Sequence, residues 1–456
     1  MKIKNAIFLS RESTAETSRW DIDVEEGKVR QIHPSESVAR EPPRLLLPAL
    51  CHPHIHLDKP YILTSNHPPS EGHPDYSDLV PETGSFHEAL SNTSKAKERY
   101  TEDDLYLRGS QLLATSYKQG VASLRAFVEV DHVTGALPLT TAIRLKSNFS
   151  HLLETQICAF AQDPLFSTAH GETNRYVMTS LLRDYAPSIQ ALGTTPYVEK
   201  SRKASLQNIE WAITTAIHHN LHLDFHLDYN LDSPSPSSQA LTFSVVELLK
   251  KHDWLGRADR SKTIVLGHCT QLTVLSEPDL RQLAESIIRS GLPIHFVGLP
   301  TSDMFMMGRS GSTITQARPR GTLHVLSMIK DLGLSACIGV NNVGNAFTPF
   351  GSGDPLQTAS YGVGIYQTGT VTDAKTLYGC VSWLAKKAIG LRQDEQDGAV
   401  VEGRTLQSML LIENKENIEL PGVVTGSELK IPARQRISFK DVVWDPPEIE
   451  MRSIIR

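Results

Sequence analysis

The sequence predicts an α/β protein, a (β/α)8 TIM barrel with a small β-sandwich domain formed by the N- and C-terminal segments. Three observations lead there. Through the middle of the chain, eight short β-rich runs alternate with longer segments of helical spacing. Such alternation implies parallel strands joined by right-handed crossovers, and eight units match a closed barrel. Several of the runs end in chemically able side chains, mostly histidine. The two ends of the chain follow a different rhythm, with short strands separated by glycine and proline.

The first strands come from Trp20-Asp21-Ile22-Asp23-Val24, which alternates, and from Val29-Arg30-Gln31-Ile32 beyond Gly27, a β-hairpin signal. Residues 403–413 and 422–443 read as further short strands. The sandwich is therefore assigned to residues 1–46 and 396–456, and the barrel to 47–395. The eight barrel runs are 45–56, 120–130, 155–162, 189–194, 221–228, 263–269, 293–299 and 336–343. Between them, Thr101-Glu102-Asp103-Asp104 is a variant of the helix N-capping box, and 205–219, 278–290 and 321–332 have helical spacing. Residues 60–99, rich in proline, serine and histidine, read as a loop over the barrel mouth.

Composition excludes several classes of function. The 456 residues are 40% hydrophobic, enough for one large domain and a smaller one. A net charge of −6 offers no basic surface for phosphates, which argues against nucleic acid and acidic membranes. The N-terminus reads as neither signal peptide nor anchor, and no stretch approaches the roughly 18 apolar residues of a membrane span. A cytoplasmic protein is expected, with a homo-oligomer left open. Cys51, Cys158, Cys269, Cys337 and Cys380 show no C-x-x-C spacing and are expected to be small buried residues.

Catalytic side chains of TIM barrels sit at the C-terminal ends of strands. The first run ends His52-Pro53-His54-Ile55-His56-Leu57-Asp58, and the period of two puts His54 and His56 on one face, able to chelate a divalent ion. The fifth ends Asp224-Phe225-His226-Leu227-Asp228-Tyr229, the sixth Gly267-His268-Cys269 and the eighth Gly339-Val340-Asn341-Asn342. A lone histidine is usually a surface or satisfied core residue, the reading given to His52, His218 and His219. Histidines ending strands one, five and six together point to metal instead, because each would otherwise bury a polar ring needing a partner.

These residues resemble the amidohydrolase superfamily and, within it, the cytosine deaminase-like branch. The likeness runs through His54-Ile55-His56-Leu57-Asp58, Arg125, Phe160-Ala161-Gln162, Asp224 to Asp228, Gly267 to Thr270, Met307-Gly308-Arg309 and residues 339–351. It implies one divalent ion, zinc or iron, on His54, His56 and His226. It also implies His268 beside the attacking water, and Gln162 and Arg309 as substrate-binding residues. Two positions depart from the family. Its strand-eight aspartate is replaced by Asn341, which cannot accept a proton, and its strand-five glutamate by Tyr229, a poor base but a passable acid. Asp228 and Asp58 are candidates for the lost base by the period of two, with Glu129 and Asp303 behind them. Capping or salt bridging is the competing role for Asp228.

The expectation is a metal-dependent hydrolase acting on a C–N bond of a small, heterocyclic molecule, a deaminase or a cyclic amide/amidine hydrolase. Its catalytic set is His268, Asp228, Tyr229 and Asn341. The alternatives are a non-hydrolytic cyclisation or isomerisation enzyme with Tyr229 as acid, and a catalytically impaired binding protein on the same barrel. The substituted proton relay predicts a poor cytosine deaminase.

Overall fold

The computed structural model describes residues 1–10, 18–36, 41–64, 72–308, 321–391 and 399–456. Near the N-terminus lie β1 (Lys2–Phe8), β2 (Trp20–Glu25), β3 (Lys28–Pro34) and β4 (Arg44–Pro48). The barrel follows, made of β5 (Leu50–His56), β6 (Val121–Glu129), β7 (Glu154–Ala161), β8 (Ala191–Thr194), β9 (His222–Leu227), β10 (Ile264–His268), β11 (Ile294–Gly298) and β12 (Ala336–Ile338). These eight strands pair in sequence order, each parallel to the next, with helices between most of them. The ring is nearly closed at Ile55 and Asn341, where His56 N–H donates to the Asn341 carbonyl at 2.9 Å and Asn341 N–H to the His54 carbonyl at 3.1 Å.

The run at 45–56 is two strands, because Pro48 interrupts it: proline cannot donate to a ladder. β4 pairs with β1 and with β13 (Met409–Glu413), while β5 enters the barrel. Together with β16 (Arg452–Ile455), these strands form a separate six-stranded sheet, ordered β16-β13-β4-β1-β2-β3, that joins the two ends of the chain. The reading of 422–443 as sheet strands is corrected. Among the described residues, β14 (Asn417–Pro421) and β15 (Glu428–Pro432) pair only with each other, and Phe439–Trp444 is a helix capped by Ser438.

The barrel floor is plugged by the helix Trp383–Ala388, whose Ala385 and Ala388 pack with Ile389 against Cys51, Val265, Val297 and Cys337. Above it, Arg125 donates to Asp224 at 3.0 Å, to Gln156 and to the Ile389 carbonyl, a buried polar layer that ties three strands to the plug. All five cysteines are free and buried. The helix Glu102–Lys118 starts as expected, with Thr101 Oγ1 accepting from Asp104 N–H at 3.3 Å. Residues 60–99 are not simply a loop, since Phe86–Lys97 forms a helix capped by Ser85. Among the described residues, no helix is long and apolar enough to cross a membrane.

Candidate metal centre and its surroundings

β5 carries a register shift between His52 and Ile55. Upstream of it, Cys51 belongs to the floor of the barrel while His52 faces Ser116 of an outer helix at 3.3 Å. Past it, the rings of His54 and His56 lie inside, beside His226 from β9. His54 Nε2 is 3.1 Å from His226 Nε2, and His56 Nε2 is 3.3 Å from the same atom. His268, at the end of β10, completes the group: ring nitrogens of His54, His226 and His268 lie within 4.8 Å of one another. Space for the His54 ring depends on Gly267, where an added Cβ would stand 3.2 Å from the ring carbon Cε1. Phe127 stacks on His54 at 4.0 Å and Phe160 tilts against His226 at 4.4 Å, so the rings are held by packing.

Burial, reinforced by neighbouring positive charge, holds the pKa of His54, His56 and His226 well below the ordinary imidazole value. All three are neutral at pH 7. Neutral rings facing each other through Nε2 compete for one proton per contact, whereas a cation satisfies every lone pair at once. A tetrahedral ion with nitrogen ligands at about 2.1 Å requires about 3.4 Å between the nitrogens. The observed 3.1 and 3.3 Å fit that spacing.

His268 Nδ1 bonds Asp303 Oδ1 at 2.7 Å. The other Asp303 oxygen accepts from Leu299 N–H at 3.2 Å and Thr322 Oγ1 at 3.0 Å, so this carboxylate is fully buried and engaged on both sides. Burial raises the Asp303 pKa, and His268 opposes that shift. Tyr229 lays its ring 3.9 Å from His268. Its phenol is pushed well above 10 by burial and by Asp303, which makes it a weaker acid than its type suggests. Asn341 donates from Nδ2 to Ser302 Oγ at 2.8 Å, and its amide oxygen lies against His54 and His56.

The premise that placed Asp228 beside His226 fails. β9 ends at Leu227, and Asp228 adopts φ +47°, which breaks strand alternation. Its oxygens accept from Leu241 N–H, Thr242 N–H and Thr242 Oγ1 at 2.9, 2.9 and 2.6 Å, capping the helix Leu241–Lys251. Asp58, one of whose oxygens accepts from Glu129 N–H at 3.0 Å, has its pKa raised to about 6 by burial. Glu129 is held low by Lys59 and Lys97 despite its burial. The side chain of Gln162 bonds the Tyr197 phenol, while its backbone carbonyl accepts from Thr195 Oγ1 at 2.7 Å. Arg309 lies outside the described residues.

Three residues of this neighbourhood escape sequence reasoning. Lys59, directly after the His-x-His-Leu-Asp motif, is 1% exposed and ion-paired to Glu129. Lys97, inside the 60–99 insertion expected to be a loop over the barrel mouth, pairs with Glu129 at 3.0 Å, Asp131 at 2.6 Å and Asp163 at 3.3 Å. Phe86 stands edge-on to Tyr229 at 5.7 Å. Only the position of Lys59 beside the motif was a usable signal.

No family model matches the chain. The Escherichia coli (strain K12) protein YahJ is 22% identical over 364 residues, covering 77% of this chain and 68% of its own length. The 5-methylcytosine deaminase of Klebsiella pneumoniae liganded with 5-fluorocytosine superposes with a TM-score of 0.74 at 18% identity, over 97% of this chain and 93% of its own. N-isopropylammelide isopropylaminohydrolase of Burkholderia multivorans ATCC 17616 follows at a TM-score of 0.65 and 19% identity, over 98% and 94%. At these identities the shared property is the fold.

Proposed function

We propose that this chain is a metal-dependent hydrolase of a C–N bond in a small N-heterocycle, binding one divalent ion, zinc or iron, through His54, His56 and His226. The observation that carries this reading is the convergence of neutral, buried imidazole nitrogens at the C-terminal mouth of the barrel, 3.1 to 3.3 Å apart. The names of the two superposed enzymes, a deaminase and an aminohydrolase, support the bond class. A divalent ion there acts as a Lewis acid and makes water a nucleophile at neutral pH.

The remaining work falls to side chains. His268 is the proton carrier: Asp303 fixes its ring through Nδ1, leaving Nε2 to take a proton from water and return it to the leaving nitrogen. Asp303 thus supplies, one residue removed, the negative charge that Asn341 does not. Gln162 and Tyr197 orient the heterocycle by hydrogen bonds, and Phe127 and Phe160 exclude water beneath it. Asp228 acts by anchoring the strand end, and Tyr229 by stacking on His268. The high phenol pKa disfavours the non-hydrolytic reading with Tyr229 as acid.

The test is metal analysis of protein purified without chelator, followed by a screen of aminopyrimidines and aminotriazines for ammonia release in oxygen-18 water. About one ion per chain and label in the product are expected. Absence of bound zinc or iron, or turnover without label, overturns the reading.

A further inference from the structure

The hairpin of β14 and β15 carries an apolar face that stands in solvent. Its strands pair from Asn417↔Pro432 to Pro421↔Glu428 and, among the described residues, with no other strand. The turn is closed by Gly422 N–H donating to the Ser427 carbonyl at 2.8 Å and by Ser427 N–H donating to the Val424 carbonyl at 2.9 Å. Residues directly opposite in an antiparallel pair share a face, and so do alternate residues along a strand. Ile418 opposite Ile431 and Leu420 opposite Leu429 therefore form one aliphatic face. The reverse face is charged, with Lys430 reaching Glu419 at 3.1 Å and Glu428 at 3.4 Å. The two faces are sorted as in a sheet that packs on something, yet the four aliphatic residues are each between 41% and 51% exposed.

A two-stranded hairpin is marginal in water by itself and gains stability when its apolar face is packed. The four residues of the face, with Val423 and Val424 exposed at the tip, present roughly 600 Å², the upper end of what a monomer leaves exposed and close to the ~800 Å² per partner of a standard interface. The chemistry of the face selects the occupant. Hot spots for an unlike partner draw on Trp, Tyr and Arg, and none of these lies on it. An uncharged, purely aliphatic face complements its own copy, and homodimer interfaces are the more apolar class. Two-fold stacking of two such faces gives a four-stranded sandwich with its sheets about 10 Å apart and both charged faces outward.

We propose that this face is the contact surface of a two-fold homodimer, in which residues 417–432 of one chain pack on the same residues of a second copy. Sedimentation equilibrium of the full chain, with and without the paired substitutions Leu420→Glu and Leu429→Glu, tests it. The wild type is expected at an even multiple of the chain mass and the double variant at half that value. Its dissociation constant should rise about 100-fold or more, because four carboxylates enter an apolar contact. Should circular dichroism show that the acidic variant fails to fold, Leu420→Ser with Leu429→Ser takes its place. Amide exchange across 417–432 should also slow in the wild type as concentration rises through the association range, which a hairpin packed only within its own chain does not show. A wild type that stays monomeric throughout the concentration series, or a mass that neither double variant lowers, overturns the proposal. So does binding of monomer to phosphatidylcholine vesicles that the same substitutions abolish, which assigns the face to a lipid surface.

Discussion

Two buried polar clusters share the mouth of this barrel, and they are built on opposite principles. In the histidine cluster, burial holds His54, His56 and His226 well below the ordinary imidazole pKa, and their Nε2 atoms meet at 3.1 and 3.3 Å. The ionic cluster beside it surrounds Lys97 with Glu129, Asp131 and Asp163 and joins Lys59 through Glu129. One cluster could hold a cation, whereas the other carries its own counter-charges. Burial favours the neutral form of a ligand that must bind metal, and it punishes an ion whose partner is missing. Substitutions in the first should therefore act on metal content and turnover, and in the second on stability.

The largest expected effect is in the histidine cluster. His54→Ala or His226→Ala should reduce bound metal from about one ion per chain to background and abolish turnover. Unchanged metal in both variants, measured by elemental analysis, would end the assignment. Next comes Lys97→Met, which leaves Asp131 and Glu129 facing each other in the interior. A loss of about 3–5 kcal/mol is expected from urea unfolding, and a change below 1 kcal/mol would show that water reaches the cluster.

Acid should reveal a third difference, because neutral buried histidines lie outside the metal centre too. Burial holds His52 and His295 at about 3 and His222 at about 2. Their folded values lie below the unfolded value of about 6.5, so the unfolded chain binds more protons in acid. Their contribution to stability is constant above that value and is lost as pH falls below it, by about 1.4 kcal/mol per pH unit for each residue. Unfolding free energies measured at pH 7 and pH 5 test the sign; equal values contradict it.

Asp303→Asn should lower kcat by about 10²-fold or more while metal content stays constant, since a misdirected His268 fails as a proton carrier. An unchanged kcat would make the pair structural. The smallest effect on the fold is expected at Gln162. Gln162→Ala should keep its Tm within a few degrees, because the backbone carbonyl and not the side chain bonds Thr195. Turnover should fall about tenfold or more, the cost of about one substrate hydrogen bond. Unfolding without a kinetic defect would assign the residue to the scaffold.

The barrel was legible in the sequence because its signals are local. Apolar runs of strand length, bounded by helical segments, appear in each of the eight units whatever the rest of the chain does. His54, His56, His226 and His268 were legible because strand ends converge in this architecture. Asp228 was misread by the same logic, since a period of two holds only while the strand continues and its backbone turns left-handed one residue past β9. The helix Phe86–Lys97 was hidden by a polar composition that its buried Lys97 contradicts only in three dimensions.

By itself, then, the sequence determined the (β/α)8 class, the end sheet drawn from both termini, and which histidines end the strands that converge on the mouth. Tertiary structure alone decided which carboxylates reach those residues: Asp303 through His268, Asp228 committed to a helix cap, and Glu129 claimed by two lysines. Periodicity specifies which face a side chain leaves from. The partner it meets depends on loops and helices from distant parts of the chain, and in a water-poor interior that partner sets both its charge and its role.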